Sequence, residues 1–184
     1  MSNSTYQTQH LRMFEELKHA LNMDMPKLAI EANGGRSILF VYPPIDDDSY
    51  ISEARERFST GFEFIDLRSL LTEFINDMGF EEFKRLRSEI GNELFASNNY
   101  SEGTFYALII QRITGAMEAG KIPVLVHTGT IYGLGFSNNN IMEEKVVLNS
   151  KIPLVVFYPA TVENGTIMFL GKQNASKYRC IVIQ

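Results

Sequence analysis

The sequence predicts an α/β domain with a mainly parallel sheet flanked by helices. Three observations predict it. Short, almost wholly apolar runs bounded by turn residues recur along the chain, and such runs read as strands buried on both faces of a sheet. Stretches with apolar residues at helical spacing lie between them. Strands and helices in alternation place crossover helices on the sheet faces, which is the parallel α/β arrangement.

The chain opens on an amphipathic helix of about three turns, because Leu11, Phe14, Leu17 and Leu21 repeat at helical spacing. Asn33-Gly34-Gly35 is a break in the pattern, and residues 37–42 form the first strand, which ends at Pro43-Pro44. Past the acidic Asp46-Asp47-Asp48, residues 50–58 suit a helix and residues 61–67 a second strand. Leu67, Leu70, Leu71, Phe74, Ile75 and Met78 share one helical face, with Gly79 placed to stop the helix. Phe80, Phe83, Leu86, Ile90 and Leu94 make a second stripe. Asn98-Asn99 interrupts it, and Phe105, Leu108, Ile109, Ile113 and Met117 make a third, closed by Gly120. Stripes of this kind read as core, and no cofactor is assigned to them. Residues 122–127 and 152–158 are the next strands, the latter expected to end at Pro159. Residues 166–170 and 178–183 complete the set as an expected antiparallel edge, and Asn164-Gly165 carries a hairpin signal.

The 184 residues read as one domain, with residues 1–36 as a helical N-terminal extension packed on it. Apolar residues make up 45% and charged residues 21%, which excludes a disordered or fibrous chain. Asp and Glu outnumber Lys and Arg by 22 to 17, for a net charge of −5. A domain that grips nucleic acid by its phosphates carries the opposite balance, so direct nucleic-acid binding is not expected. The lone cysteine, Cys180, sits in an apolar run and reads as a small buried hydrophobe. A reducing, cytoplasmic setting fits it. The N-terminus has no signal-peptide pattern, and no apolar run approaches the roughly 20 residues of a membrane helix, so no membrane association is expected.

In open α/β sheets, ligands gather at the carboxyl ends of the strands. Residues 42–48, 127–140 and 158–161 lie there. A phosphate loop would follow the first strand, but Pro43 and Pro44 lack N–H donors and the three aspartates repel phosphate. The nearest Walker-like stretch, residues 165–173, is one residue too long and carries Gln173 where a hydroxyl belongs. The fold expected is therefore a P-loop- or Rossmann-like three-layer domain without a working phosphate loop. Gly133-Leu-Gly135-Phe-Ser-Asn138 resembles a dinucleotide-binding motif but has Asn138 for its third glycine, so a structural turn is preferred. Asn138, Asn139 and Asn140 read as caps of the next helix, with Glu143 completing a capping box.

Asp46, Asp47 and Asp48 either complement the N-terminus of the following helix or coordinate Mg²⁺, with capping favoured. His127 at a strand end has the chemistry of an acid or base, but no partner is evident at a recognisable spacing and a structural role is preferred. Ser137 lacks the last glycine of a nucleophile elbow, and no triad can be assembled. His10 and His19 carry no signal. Loops rich in Tyr, Asn and Pro suit contact with another protein.

Some blocks carry a resemblance. Residues 38–44 followed by acids, and then Phe64-Ile-Asp-Leu67 leading into an apolar helix, resemble the N-terminal half of the BrxB family. The C-terminal blocks are also similar: residues 127–132, residues 152–159, Phe169-Leu-Gly171 and Lys177-Tyr-Arg179. The blocks span residues 37–184. BrxB proteins are small components of bacterial BREX (bacteriophage exclusion) defence systems. The resemblance implies a cytoplasmic accessory subunit, encoded beside a methyltransferase, a large ATPase and a phosphatase-like PglZ protein. It brings no catalytic residue and no cofactor. The expectation is a non-catalytic scaffold that holds a larger BREX component, foremost the PglZ-like protein and otherwise the methyltransferase. The alternative is a nucleotide- or Mg²⁺-dependent enzyme using Asp46, Asp47 and His127. The expected contact surface is the loop-rich sheet end with Thr130, Tyr132, Phe136, Asn138, Asn139 and Asn140. A second surface is Lys177-Tyr178-Arg179, since Tyr and Arg are common interface anchors.

Overall fold

The computed structural model describes residues 3–96, 103–175 and 178–184. Two helices, α1 (Asn3–Leu21) and α2 (Met25–Glu31), precede the first strand, β1 (Ser37–Tyr42). The chain continues through α3 (Asp47–Arg57), β2 (Phe62–Asp66), α4 (Leu67–Met78), α5 (Phe80–Ile90) and α6 (Phe105–Glu118) to β3 (Ile122–Val126). Short helices α7 (Asn138–Met142) and α8 (Lys145–Leu148) lead to β4 (Leu154–Glu163), β5 (Thr166–Phe169), β6 (Gln173–Asn174) and β7 (Cys180–Ile183). The break expected at Asn98-Asn99 lies outside the described residues.

The sheet runs β2-β3-β4-β1-β7, and every pair along that path is parallel. This is an α/β fold with helices on both faces of a mostly parallel sheet, the three-layer form that alternating apolar strands and helices predict. All six residues of β1 are buried because it has strands on both edges and helices on both faces. Alternation along the strand divides them. Ile38, Phe40 and Tyr42 meet Val155 and Phe157 of β4 under α1, α2 and α3. Leu39 and Val41 meet Val156 and Tyr158 over α4, α6 and α7. The N-terminal helices are a core layer in their own right, since Met13, Phe14, Leu17 and Leu28 are almost fully buried. Asp24 caps α2 by accepting from the Lys27 amide at 2.8 Å, with a proline in the first turn.

Three expectations need correction. The antiparallel edge is β5 against β4, with β6 beyond it, whereas β7 crosses to the opposite edge and pairs parallel with β1. Apolar character marks a strand but does not choose its neighbour. Secondly, Pro159 lies inside β4. The pair Tyr42↔Pro159 closes the parallel ladder, after which β4 turns to β5, and the Pro159 carbonyl accepts from the Leu170 amide at 2.9 Å. A proline is tolerated at a point where the strand exchanges partners and only its acceptor is used. Thirdly, the stripe on α5 is only half core: Phe83 and Leu86 pack inward, while Phe80 and Ile90 face solvent. The hairpin signal holds, because Asn164 and Gly165 both have positive φ between the paired Glu163 and Thr166, the geometry of a type I′ turn.

No helix among the described residues is long and apolar enough to cross a membrane.

Candidate functional site

Because the five strands are parallel, their carboxyl ends share one edge of the sheet. After β1 the chain takes a 3₁₀ turn at Pro44–Asp46 and enters α3. Asp46 stands at the N-cap of α3 but makes no capping hydrogen bond. Asp47 accepts instead from the Tyr42 hydroxyl. Burial, together with that neighbouring carboxylate, pushes the Tyr42 phenol well above its ordinary value. The aspartates thus complement the helix dipole without forming the side-chain cap expected of them.

A cluster that sequence spacing did not reveal sits at the ends of β2 and β3. Asp66 caps α4, with Oδ1 accepting from the amides of Arg68 at 3.0 Å and Ser69 at 3.4 Å. His127 follows β3 with φ of 53°, a left-handed conformation rare outside glycine, and is 6% exposed. Its Nδ1 lies 2.9 Å from Asp66 Oδ1, with the carboxylate set off the line of a hydrogen bond. Its Nε2 touches the Arg68 guanidinium and lies 3.3 Å from Asp48 Oδ1. His127 therefore has the acidic partner that the sequence did not disclose. Asp66 and Arg68 come from the β2–α4 junction, far along the chain, and no local pattern links them to His127. The nearby Thr128 hydroxyl donates to the Phe157 carbonyl at 2.6 Å. Among the described residues, no group of three or more His, Cys, Asp or Glu side chains is placed to hold a metal ion.

The electrostatics of Asp66 give a test. Burial acts to raise its carboxyl, but His127 and the amides of Ser69 and Arg68 hold it below the ordinary aspartate value. A depressed folded value stabilises the fold above the ordinary aspartate range, and that stability is lost as pH falls through the folded value. Asp66→Asn keeps a competent N-cap and is expected to cost about 1 kcal/mol at neutral pH, from the lost carboxylate beside His127. It should also flatten the acid limb of stability in urea titrations run from pH 7 to pH 3. An acid limb identical to that of the parent chain would mean that Asp66 is not the responsible group.

The loop after His127 is built differently. It begins with a 3₁₀ turn, Thr128–Ile131, that carries Thr130 half-buried. Gly129 lies under Leu170 and Pro159: a Cβ there would come within 3.2 Å of Leu170. The β4–β5 ribbon thus closes over the end of β3. Tyr132 is 44% exposed, whereas Phe136 packs edge-on against Tyr106 at 5.1 Å. Ser137, not an asparagine, caps α7, and Asn140, not Glu143, completes the capping box. Asn138 is 1% exposed and its Oδ1 has no partner among the described residues; Asn139 Oδ1 is likewise buried and unpaired among them. Tyr178 joins its hydroxyl to that of Tyr158 at 2.7 Å, and Arg179 pairs with Glu143 through Nε at 3.0 Å. Lys177 lies outside the described residues.

The predicted residues thus fall into two groups. His127 forms the polar cluster with Asp48, Asp66 and Arg68, while Asp47 turns to the Tyr42 hydroxyl. Tyr132, Phe136, Asn138 and Tyr178 converge with Tyr158 and Phe169 around a cavity of about 50 Å³. Asp46, Thr130, Asn139 and Asn140 flank these groups without joining either cluster. A wider open groove of about 770 Å³ runs beside β2 between α4 and α6, and it contains none of the predicted residues. Cys180, at the amino end of β7, has its thiol pushed up to about 12 by burial and by Glu143. That makes it inert at neutral pH, as a buried structural cysteine should be.

Comparison with protein-family models, with curated proteins and with solved structures finds no match to this chain.

Proposed function

We propose that this chain is a non-catalytic accessory subunit of a BREX-type anti-phage defence system in the cytoplasm. It holds a larger component, foremost a phosphatase-like PglZ protein. The observation that carries this reading is convergence. The C-terminal blocks behind the BrxB resemblance are scattered over residues 127–179, yet Tyr132, Tyr158, Phe169 and Tyr178 line one cavity. Buried Tyr158 and Phe169 form the floor of that cavity and Tyr132 stands exposed at its mouth, which supports a single contact surface centred on Tyr132.

The test is co-expression with the neighbouring genes, tag purification, a high-salt wash and mass spectrometry. A PglZ-like or methyltransferase partner is expected in stoichiometric amount. Tyr132→Ala should reduce its retention at least about tenfold while stability stays within about 0.5 kcal/mol, as for other exposed substitutions. A chain that emerges alone sinks the reading. Phe136 is unsuited to this experiment, since its contacts with Tyr106 make its removal a folding change.

A second reading, a nucleotide- or Mg²⁺-dependent enzyme, draws support from the Asp66–His127 pair. An orienting carboxylate on Nδ1 is how imidazole bases are held. Here Nε2 faces Arg68 and Asp48. A rise in melting temperature with millimolar Mg²⁺ or nucleotide would favour this reading over the first.

A further inference from the structure

We propose that the cavity between the 128–138 loop and the β4–β5–β6 ribbon binds a compact organic cation bearing N–H groups. The source is an arginine or lysine side chain of a partner or a free small amine or guanidine; the first rests on the subunit reading above, the site itself does not. Three features select this ligand. First, Asn138 lines the cavity at 1% exposure with an Oδ1 unpaired among the described residues. A buried acceptor left without a donor is costly, so the site asks for N–H. Second, the walls are aromatic and continuous. Tyr158 stacks on Phe169 at 4.6 Å, Phe169 meets Tyr132 at 6.4 Å, and Tyr178 stands edge-on to Tyr158 at 5.7 Å. Ring faces attract cations and repel anions. The Tyr132 ring already carries one cation, the Lys172 ammonium at 5.9 Å, which stands outside the residues lining the cavity. Third, among the described residues none that lines the cavity carries a like charge, so the ring faces and Asn138 alone offset the cost of taking a cation out of water.

Size narrows the ligand further. A space of about 50 Å³ holds roughly three or four water-sized groups, enough for a guanidinium or ammonium head and too little for a nucleobase. The loop is also fixed before any ligand arrives, because the Ser137 hydroxyl donates to Asn140 Oδ1 at 2.7 Å within the capping box. Such a site resists collapse onto its own empty space.

The test titrates the full chain with methylguanidinium chloride and methylammonium chloride, following the amide signals of Gly133, Phe136 and Asn138 by NMR. Matched NaCl and urea, a neutral near-isostere of guanidinium, are the controls. Saturable shifts are expected with a dissociation constant near about 1 mM, fitting a ligand of so few atoms, and none with urea. Asn138→Asp should tighten binding about tenfold by placing a carboxylate beside the cation. If that variant does not fold, Tyr132→Ala should weaken binding several-fold by removing one ring face. Absence of saturation, or equal shifts with urea, overturns the site and leaves a cavity that holds water only.

Release of the co-purified partner by about 50 mM methylguanidinium, but not by matched NaCl, assigns the cation to the partner's side chain. Cation binding without release, or with no partner to release, supports the site with a free solute as its ligand. In the latter case it is the subunit reading that fails. A partner retained by a chain that binds no cation leaves that reading standing and removes this site.

Discussion

Alanine at Gly35 is expected to cost about 3–5 kcal/mol, much of the total stability of an ordinary domain. The reason is a backbone contact. A Cβ on residue 35 would lie 1.7 Å from the Arg179 carbonyl oxygen and 2.5 Å from its carbon. Neither atom belongs to a side chain that can rotate away, so one strand has to leave the other. Residue 179 leads directly into β7, which is held on β1 by the parallel pairing that begins Ser37↔Cys180. Overpacking of side chains alone costs about 1–3 kcal/mol, and displaced ladder hydrogen bonds add to it. Equilibrium urea unfolding checks this, with Gly115→Ala as the contrast. Gly115 lies inside α6 with open space around it, so alanine there should stabilise by about 0.5–1 kcal/mol. If the two variants behave alike, β7 does not sit against Gly35.

The second large effect is expected at Phe157. It is fully buried at the middle of β4 and stacks on Phe40 at 4.8 Å, with Tyr42 at 5.8 Å. Phe40 in turn meets Phe14 and Tyr50, so one aromatic group joins the sheet to α1 and α3. Phe157→Ala removes a ring that neighbours on two strands cannot collapse to replace, at about 3–5 kcal/mol. Denaturant unfolding should show a lower midpoint at unchanged slope. Because Phe40 and Phe157 touch, the double alanine variant should cost less than the sum of the two. Full additivity, or a loss below about 1 kcal/mol for Phe157→Ala, would mean the ring is not tightly held.

How much of the fold is legible in the sequence depends on which forces act locally. The strand at Ser37–Tyr42 and the face of α4 are legible because burial imprints its own period on the residues. The Asn164-Gly165 turn is legible because positive φ at two successive positions selects those residue types. Strand order is different. The apolar stretch Cys180–Ile183 fits either edge of the sheet equally well, and only three-dimensional closure sends it to β1. Pro159 misleads for a related reason: a missing N–H ends a strand only where the ladder needs that donor. At the site, His127 is visible as a residue type at a strand end. Its partners Asp66 and Arg68 are not, since they meet it only when β2 and β3 pair in register. The aromatic residues around Asn138 are legible as separate blocks but not as one cavity. In the case of Phe136, composition suggests a surface where the fold places it against Tyr106.

The sheet order also has a consequence in time. The interior strand β1 is made first, yet its neighbours are residues 154–159 on one edge and 180–183 on the other. At synthesis rates of about 5–20 residues per second, Ser37–Tyr42 waits roughly seven to thirty seconds for its last partner. Until residues 154–159 are made the nascent chain displays an uncharged apolar segment with both hydrogen-bonding edges open, and one edge stays open until β7 follows, the kind of surface that chaperones bind and that aggregates recruit. Shelter of this one six-residue stretch during translation is therefore expected to bear on the yield of folded protein, alongside the final stability of the fold.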